Sequence, residues 1–515
     1  MKTFLFLLAF SIAINATSQT IKYVSKADEI DAANIKSING QSIQLDFKMI
    51  PSFTRYKFSL SHLDNNLKPI DKEKIDIEDG LAIESGALLK FNDAIYFFYY
   101  GRDRKTDFFF AKLRKVNTTT LAVEEPVQIM EVNQKILNGR TVNFNNTYNK
   151  DSSQLIFTLD LDAPDKNNKK YSIQIVDNNL KSVFAKTVEL PIKNELVLTQ
   201  SVTYAENEKA FYIAYKAYEK PVDIYTETQY SKKTPDYTFN LLKITEKNDN
   251  PIIVKVDNNI VHKMNLQIEP NNKILISGLL KKTCTSNIHA LFYGYLNTTA
   301  NQMENIKIIN YTDDIIKAIE ADEFASTKND NVGLFSFYNI AHTSKRENGS
   351  IDIVAEYYKA GNYSVATSKG FTNYSSYNCG DIVNTNIDAN GKITFTRLPK
   401  NQYNVDHSGY LGSYFINYKN KLIILYNDTK GNLEKDINSK PNSVERFGFK
   451  NAALVQAIID DNGKLTKQEI TGVNENGFVI IPKRIKKIND NLFFSRSSNL
   501  NFFTNKLKLG YLEMQ

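Results

Sequence analysis

The sequence contains no tryptophan, which removes both the Trp-Asp signature of one common β-repeat class and the side chain best suited to stacking on sugars. Cysteine is nearly absent as well. Cys284 and Cys379 are too few for a disulfide scaffold. An oxidising compartment would permit one bridge between them; two separate buried thiols is the other reading, because they fall in different repeats. Five scattered histidines (His62, His262, His289, His342, His407) add no zinc-ligand spacing to the two cysteines. Proline and glycine are sparse, at 12 and 21 residues, so most turns must rest on Asn and Asp. After Ile14 no apolar run is long enough to cross a bilayer as a helix. No G-x-S-x-G segment occurs, and no α/β domain follows to house a hydrolase triad. The net charge of +7 is spread along the chain. Its densest basic run, Pro482 to Lys487 with Lys483, Arg484, Lys486 and Lys487, reads as a solvated strand face or as a polyanion patch.

What the chain does have is aromatic, strand-forming sequence: 29 Tyr and 31 Phe, set among Lys and Asn. A hairpin keeps returning. Tyr56–Ile70 (YKFSLSHLDNNLKPI) and Tyr171–Phe184 (YSIQIVDNNLKSVF) share an alternating strand, an Asp-Asn-Asn-Leu-Lys turn and a second strand, and Asn117 stands midway in a similar context. A recurrence of about 55 residues built on strand pairs predicts a radial all-β array. The expected fold is a β-propeller of about seven four-stranded blades, with six and eight also consistent with the count. Tandem β-sandwiches are the alternative, since sandwich strands are patterned alike. The last three strands lack a fourth, and Thr20–Val24 could supply it, closing the ring by pairing the two ends of the chain. Thr312–Ala325 has helical spacing behind a Thr-Asp-Asp start and predicts a short helix. Residues 361–380 (GNYSVATSKGFTNYSSYNCG) read as an irregular loop insertion.

Residues 1–18 read as a signal peptide: Lys2 supplies a positive start, Phe4–Ile14 an apolar stretch, and Ala16 and Ser18 the small residues before a cut. Residues 19–515 are then one propeller domain, exported to the periplasm or the cell exterior. It carries no transmembrane anchor and is expected to be a monomer. Nucleic acid is excluded as a partner by that address.

The hairpin units, together with the missing Gly-His…Trp-Asp, kelch Gly-Gly and YWTD-like signatures, resemble the diverged exported propeller-like proteins of Bacteroidetes-type bacteria. The resemblance is architectural. It implies a closed β array without assigning an activity.

Polar residues concentrate between Ile351 and Asp428. Glu356 sits inside an apolar strand, Asp381 opens one, Lys400 and Gln402 follow one, and Asp428 ends one. Charges in such places are costly unless paired or facing a wet cavity, so these five are candidate ligand-binding residues, with register-fixing ion pairs as the other reading. Tyr363, Tyr374 and Tyr377, set among Ser and Asn, have the composition of a contact surface. Asp160, Asp162 and Asp165 are loosely spaced like a calcium loop, which makes Ca²⁺ the one candidate cofactor, but the Gly and distal Glu of an EF-hand are missing. No catalytic residue stands out. The expected function is a non-enzymatic binding or scaffold module for a protein or glycan partner in the envelope. The alternative is a glycan-acting hydrolase at the channel mouth, with Glu356 and Asp381 as its carboxylates.

Overall fold

The computed structural model describes residues 21–513 apart from 28–33, 39–40, 51–54, 65–68, 134–142, 150–152, 162–166, 222–235, 270–272, 406–407, 446–451, 471–477, 488–491, 500–506 and a few single or paired positions. The expected signal peptide lies outside the described residues.

The chain is all-β. It folds into eight antiparallel sheets, most of them four-stranded meanders, in strict chain order. They span residues 34–75, 81–133, 143–193, 197–253, 260–334, 338–405, 413–470 and 478–513. The eighth sheet is completed from the other end of the chain, where Ile21–Ala27 pairs antiparallel with Leu507–Glu513. One α-helix occurs among the described residues, Asp313–Glu320, here α1. It follows strand Gln302–Asn310 of the fifth sheet and precedes that sheet's short strands Ala325–Ser326 and Gly333–Leu334, and the expected spacing buries Ile316 and Ile319.

The central strands explain the stacking. Ala94–Asp103 (AIYFFYYGRD) is apolar on both faces. Its Phe97 joins the core shared with the first sheet, and its Phe98 joins the core shared with the third. Tyr212 and Phe211 divide in the same way between the fifth and third sheets. Such cores link every successive pair of sheets from the first to the eighth. A period-2 strand buried on both sides must read as a continuous apolar run. Two separate sandwiches would interrupt this series of cores, and no interruption is found. The architecture is a propeller-like array.

The recurring turn has one job. Asp177 Oδ1 accepts hydrogen bonds from Asn179 N and Lys181 N, both at 2.9 Å. Asp388 holds Asn390 N and Lys392 N at 2.8 Å, and Asp460 holds Asn462 N and Lys464 N at 2.9 Å. Asn117 does the same for Thr119 N and Thr120 N at 2.9 and 3.0 Å. Each turn joins the third and fourth strands of its sheet, so the sequence repeat is the register of the array. Asp461, beside the capping Asp460, instead pairs with Arg346 at 3.1 Å.

Residues 361–380 are not an irregular loop. They belong to a long hairpin of Ile351–Thr367 and Gly370–Ile387, in register from Lys359↔Asn378 to Thr367↔Gly370. Ser, Asn and Gly suggested a loop. Cross-strand pairing and the β-formers Val365, Thr372 and Tyr374 override that propensity. Strand Gln402–Val405 pairs with the hairpin's base. Cys284 and Cys379 are buried free thiols.

Close strand approach gives a test. A Cβ on Gly278 would lie 2.4 Å from both Lys263 O and Phe292 Cε1. Gly278→Ala should therefore cost about 1–3 kcal/mol in chemical unfolding. An unchanged midpoint would contradict the packing of the fifth sheet.

Candidate functional site

In an antiparallel meander the first-to-second and third-to-fourth connections share one end of the sheet, and the others emerge at the opposite end. The first end carries the tight Asx turns. At the opposite end the chain leaves strands Ala210–Tyr218, Gln302–Asn310, Ile393–Leu398 and Lys421–Asp428 for its longer connections, and α1 and the outer part of the 351–387 hairpin lie there too. The long connections thus gather over the fourth to seventh sheets. First strands near this end are also irregular: the register shifts between Ile83/Ser85, Thr199/Ser201, Val261/Lys263 and Ile340/His342. Bulges of this kind re-aim side chains and are over-represented beside functional sites.

Glu356 and Lys400 meet at this end, between the sixth and seventh sheets. Glu356 comes from the second strand of the sixth sheet, and Lys400 from just past its fourth. Their side chains form a buried ion pair. Lys400 Nζ also lies 3.2 Å from Ser413 Oγ and 3.3 Å from Cys379 Sγ. Ser413 Oγ donates to Glu356 Oε1 at 2.9 Å. Both donors converge on Oε1, and among the described residues none reaches Oε2. Burial works to raise the Glu356 carboxyl, but Lys400 and Ser413 outweigh it and hold it below its ordinary value. Burial pulls Lys400 down, but the Glu356 carboxylate beside it holds its ammonium above the usual range. The Cys379 thiol is pushed up to about 12 by burial. The pair is charged and the thiol neutral. Removing one partner of such a pair costs about 3–5 kcal/mol, because the survivor stays buried and uncompensated.

Glu356 lines a cavity of about 460 Å³ together with Asn339, His342, Tyr358, Ser413 and Lys483. Volumes of this order suit a small ligand. The His342 ring stacks on Phe415, with centroids 5.4 Å apart and planes at 12°. Burial keeps His342 below its ordinary value, hence neutral. Lys483 sits on the 3₁₀ turn Pro482–Arg484, its Nζ 4.6 Å from the centre of the Tyr358 ring. Gly412, at φ +85°, lets Lys483 lie there: a Cβ would come within 2.6 Å of Lys483 Cε.

The remaining candidates divide. Asp381 does not face the cavity. It is fully buried, accepts from Arg397 Nε at 2.7 Å and from Lys400 N at 2.9 Å, and so supports the Lys400 backbone from beneath. Arg397 also pairs with Asp322, just past the C-terminus of α1. Burial pushes Asp381 up to about 7 against the pull of Arg397, with Asp322 adding to the rise. Gln402 is structural, donating to Asn427 O at 2.7 Å and accepting from Gly412 N at 2.9 Å. Asp428 caps a turn through Thr429 N at 2.8 Å and Asn432 Nδ2 at 2.7 Å, and burial pushes it up to about 6. Tyr374 and Tyr377 are half-buried on the long hairpin, and Tyr377 packs against the core around Cys379 and Tyr410. Tyr363 is the register partner of Tyr374. Asp160 pairs with Lys169 and accepts from Thr199 Oγ1 at 2.8 Å; Asp162 and Asp165 lie outside the described residues. No group of three or more metal-ligating side chains occurs among the described residues.

Sequence reasoning missed Ser413, His342 and Asn339, which reach the cavity from separate strands. Lys483 had a signal, the basic run, but no link to Glu356.

No protein-family model matches the chain, and no curated protein matches it. Solved structures resemble it distantly. The β-propeller domain of the Trilobed protease from Pyrococcus furiosus aligns at 10% identity with a TM-score of 0.34, covering 86% of this chain and 97% of that one. The polysaccharide lyase Uly1 aligns at 10% identity and TM-score 0.39, covering 83% and 90%. The acylaminoacyl peptidase of Pyrococcus horikoshii aligns at 11% identity and TM-score 0.35, covering 92% of this chain; the chain spans 59% of that enzyme's length. Likenesses at this level assign no activity.

The Asp322–Asp381–Arg397 cluster predicts a pH effect. An acid raised in the folded state stabilises it at low pH, and that stability is lost as pH climbs from 3.8 through about 7. Asp381→Asn removes this titration. The Tm of the variant relative to wild type should therefore rise between pH 5 and 8. A difference constant with pH would contradict the raised carboxyl.

Proposed function

We propose that the chain is an exported binding protein built as a closed propeller of eight blades. The pairing of Ile21–Ala27 with Leu507–Glu513 favours closure, because it carries the chain from the eighth sheet to the first through only residues 28–33. The ligand seats in the cavity between the sixth and seventh sheets. One observation carries the reading: a buried, ionised Glu356 keeps a carboxylate oxygen without a protein donor where it borders a cavity that Lys483 also lines. Oε2 accepts from a ligand hydroxyl or ammonium, and Lys483 offers charge to an acceptor or anion on the same ligand. Tyr358, Tyr414 and Phe415 supply apolar walls. Such a group would be presented by a glycan or a protein partner in the envelope.

The hydrolase reading is weaker on physical grounds. Glycoside chemistry needs a protonated carboxylic acid and a second carboxylate roughly 5–10 Å away across the cleft. Glu356 is held ionised by Lys400, and Asp381 is bound to Arg397 beneath the cavity.

The test is binding of the chain from Gln19 onward to glycan and peptide arrays. Lys483 is exposed, so Lys483→Ala should weaken a bound ligand about tenfold while leaving Tm unchanged, in line with loss of one charge-assisted hydrogen bond. Wild-type affinity in Lys483→Ala would remove the cavity from the account.

A further inference from the structure

A second cleft, between the third and fourth sheets, is larger and chemically different. Its volume is about 750 Å³. It lies along their first strands, Asn143–Tyr148 and Val197–Ala205. In a chain with 23% charged residues, one charged side chain lines it among the described residues, Asp160. That charge is already balanced by Lys169, and Asp160 is tied to the wall through Thr199, whose Oγ1 also lies 2.9 Å from Tyr171 Oη.

The remaining polar lining is neutral. Asn145, Asn146 and Gln200 bring amides, which donate and accept, and Ser201 and Thr203 bring hydroxyls. Asn145 and Asn146 are exposed. Ser201 Oγ is shielded from solvent and finds no hydrogen-bond partner among the described residues. The bulge between Thr199 and Ser201 places Gln200 out of the regular ladder at this point. Aromatic rings flank this floor: Tyr100 of the second sheet and Phe144 of the third stack at 5.5 Å on one side, and Tyr204 and Phe211 of the fourth lie 4.6 Å apart on the other.

We infer that this cleft is a binding site for an uncharged saccharide. A neutral sugar offers hydroxyls that exchange hydrogen bonds with amides and hydroxyls, and apolar ring faces that pack on aromatic side chains. An anion would find no unpaired cation among the described lining residues, and an apolar ligand would strand the amides. The inference stands on residues of the second, third and fourth sheets and does not depend on the Glu356 cavity.

The test is saturation-transfer NMR on the chain from Gln19 onward with cellobiose, maltose and xylobiose, and with methyl glucuronide as the charged control. Transfer to at least one neutral disaccharide is expected in wild type and in Lys483→Ala. Asn146→Ala, an exposed change, and Asn146→Ala/Gln200→Ala should weaken that binding about tenfold with Tm unchanged. Three results would overturn the site: no transfer to any neutral disaccharide, equal transfer in the variants, or stronger transfer to the glucuronide than to every neutral sugar.

Discussion

The second to seventh sheets of this chain are apolar on both faces, and their own strands cannot cover either one. Phe97 and Phe98 are neighbours in sequence, yet they are buried against different sheets. A single four-stranded unit would expose two hydrophobic faces, so the units are stable only as a series, each covered by the one before and the one after. The tyrosine- and phenylalanine-rich composition follows, because large flat side chains fill the wedge between twisted sheets at two χ angles apiece. Within the eighth sheet, Ile21–Ala27 covers the edge of Leu507–Glu513 that would otherwise be unpaired.

With the sheets fixed in this way, variation is confined to the connections. One end of the array is held by Asx turns that leave little room for insertion. The other end carries the long connections, and there Lys400, Ser413 and Lys483 arrive from three separate segments around Glu356. A charged pair under such a lid is expensive to desolvate and gives little net stability compared with apolar packing. It leaves one oxygen of the Glu356 carboxylate without a donor among the described residues, beside a cavity. Asp381 and Arg397 sit one layer below and fix the backbone of Lys400.

Much of the fold was legible because a period of about 55 residues, Asx turns and two-sided apolar strands are local signals. The helix at Asp313–Glu320 was legible for the same reason. The pairing of Glu356 with Lys400 could be anticipated, since both are charges at apolar strands. The cavity could not. Asn339, His342, Ser413 and Lys483 are ordinary residues in their own segments and acquire meaning only across the junction of the sixth and seventh sheets. The long hairpin was misread because Gly, Ser and Asn dominate locally while its pairing is non-local. The described residues form eight sheets, within the six to eight that the repeat allowed, and the first has a fourth strand of only three residues, Glu73–Ile75.

The ionisation of Glu356 separates a binding site from an acid catalyst most directly. Carboxyl-¹³C glutamate labelling, with the resonance assigned through Glu356→Gln, would follow it as pH falls from 8. The account predicts a carboxylate that stays ionised until the pH lies below the ordinary glutamate value of 4.5. A Glu356 protonated near neutral pH would contradict it and restore the case for general-acid chemistry at this cavity.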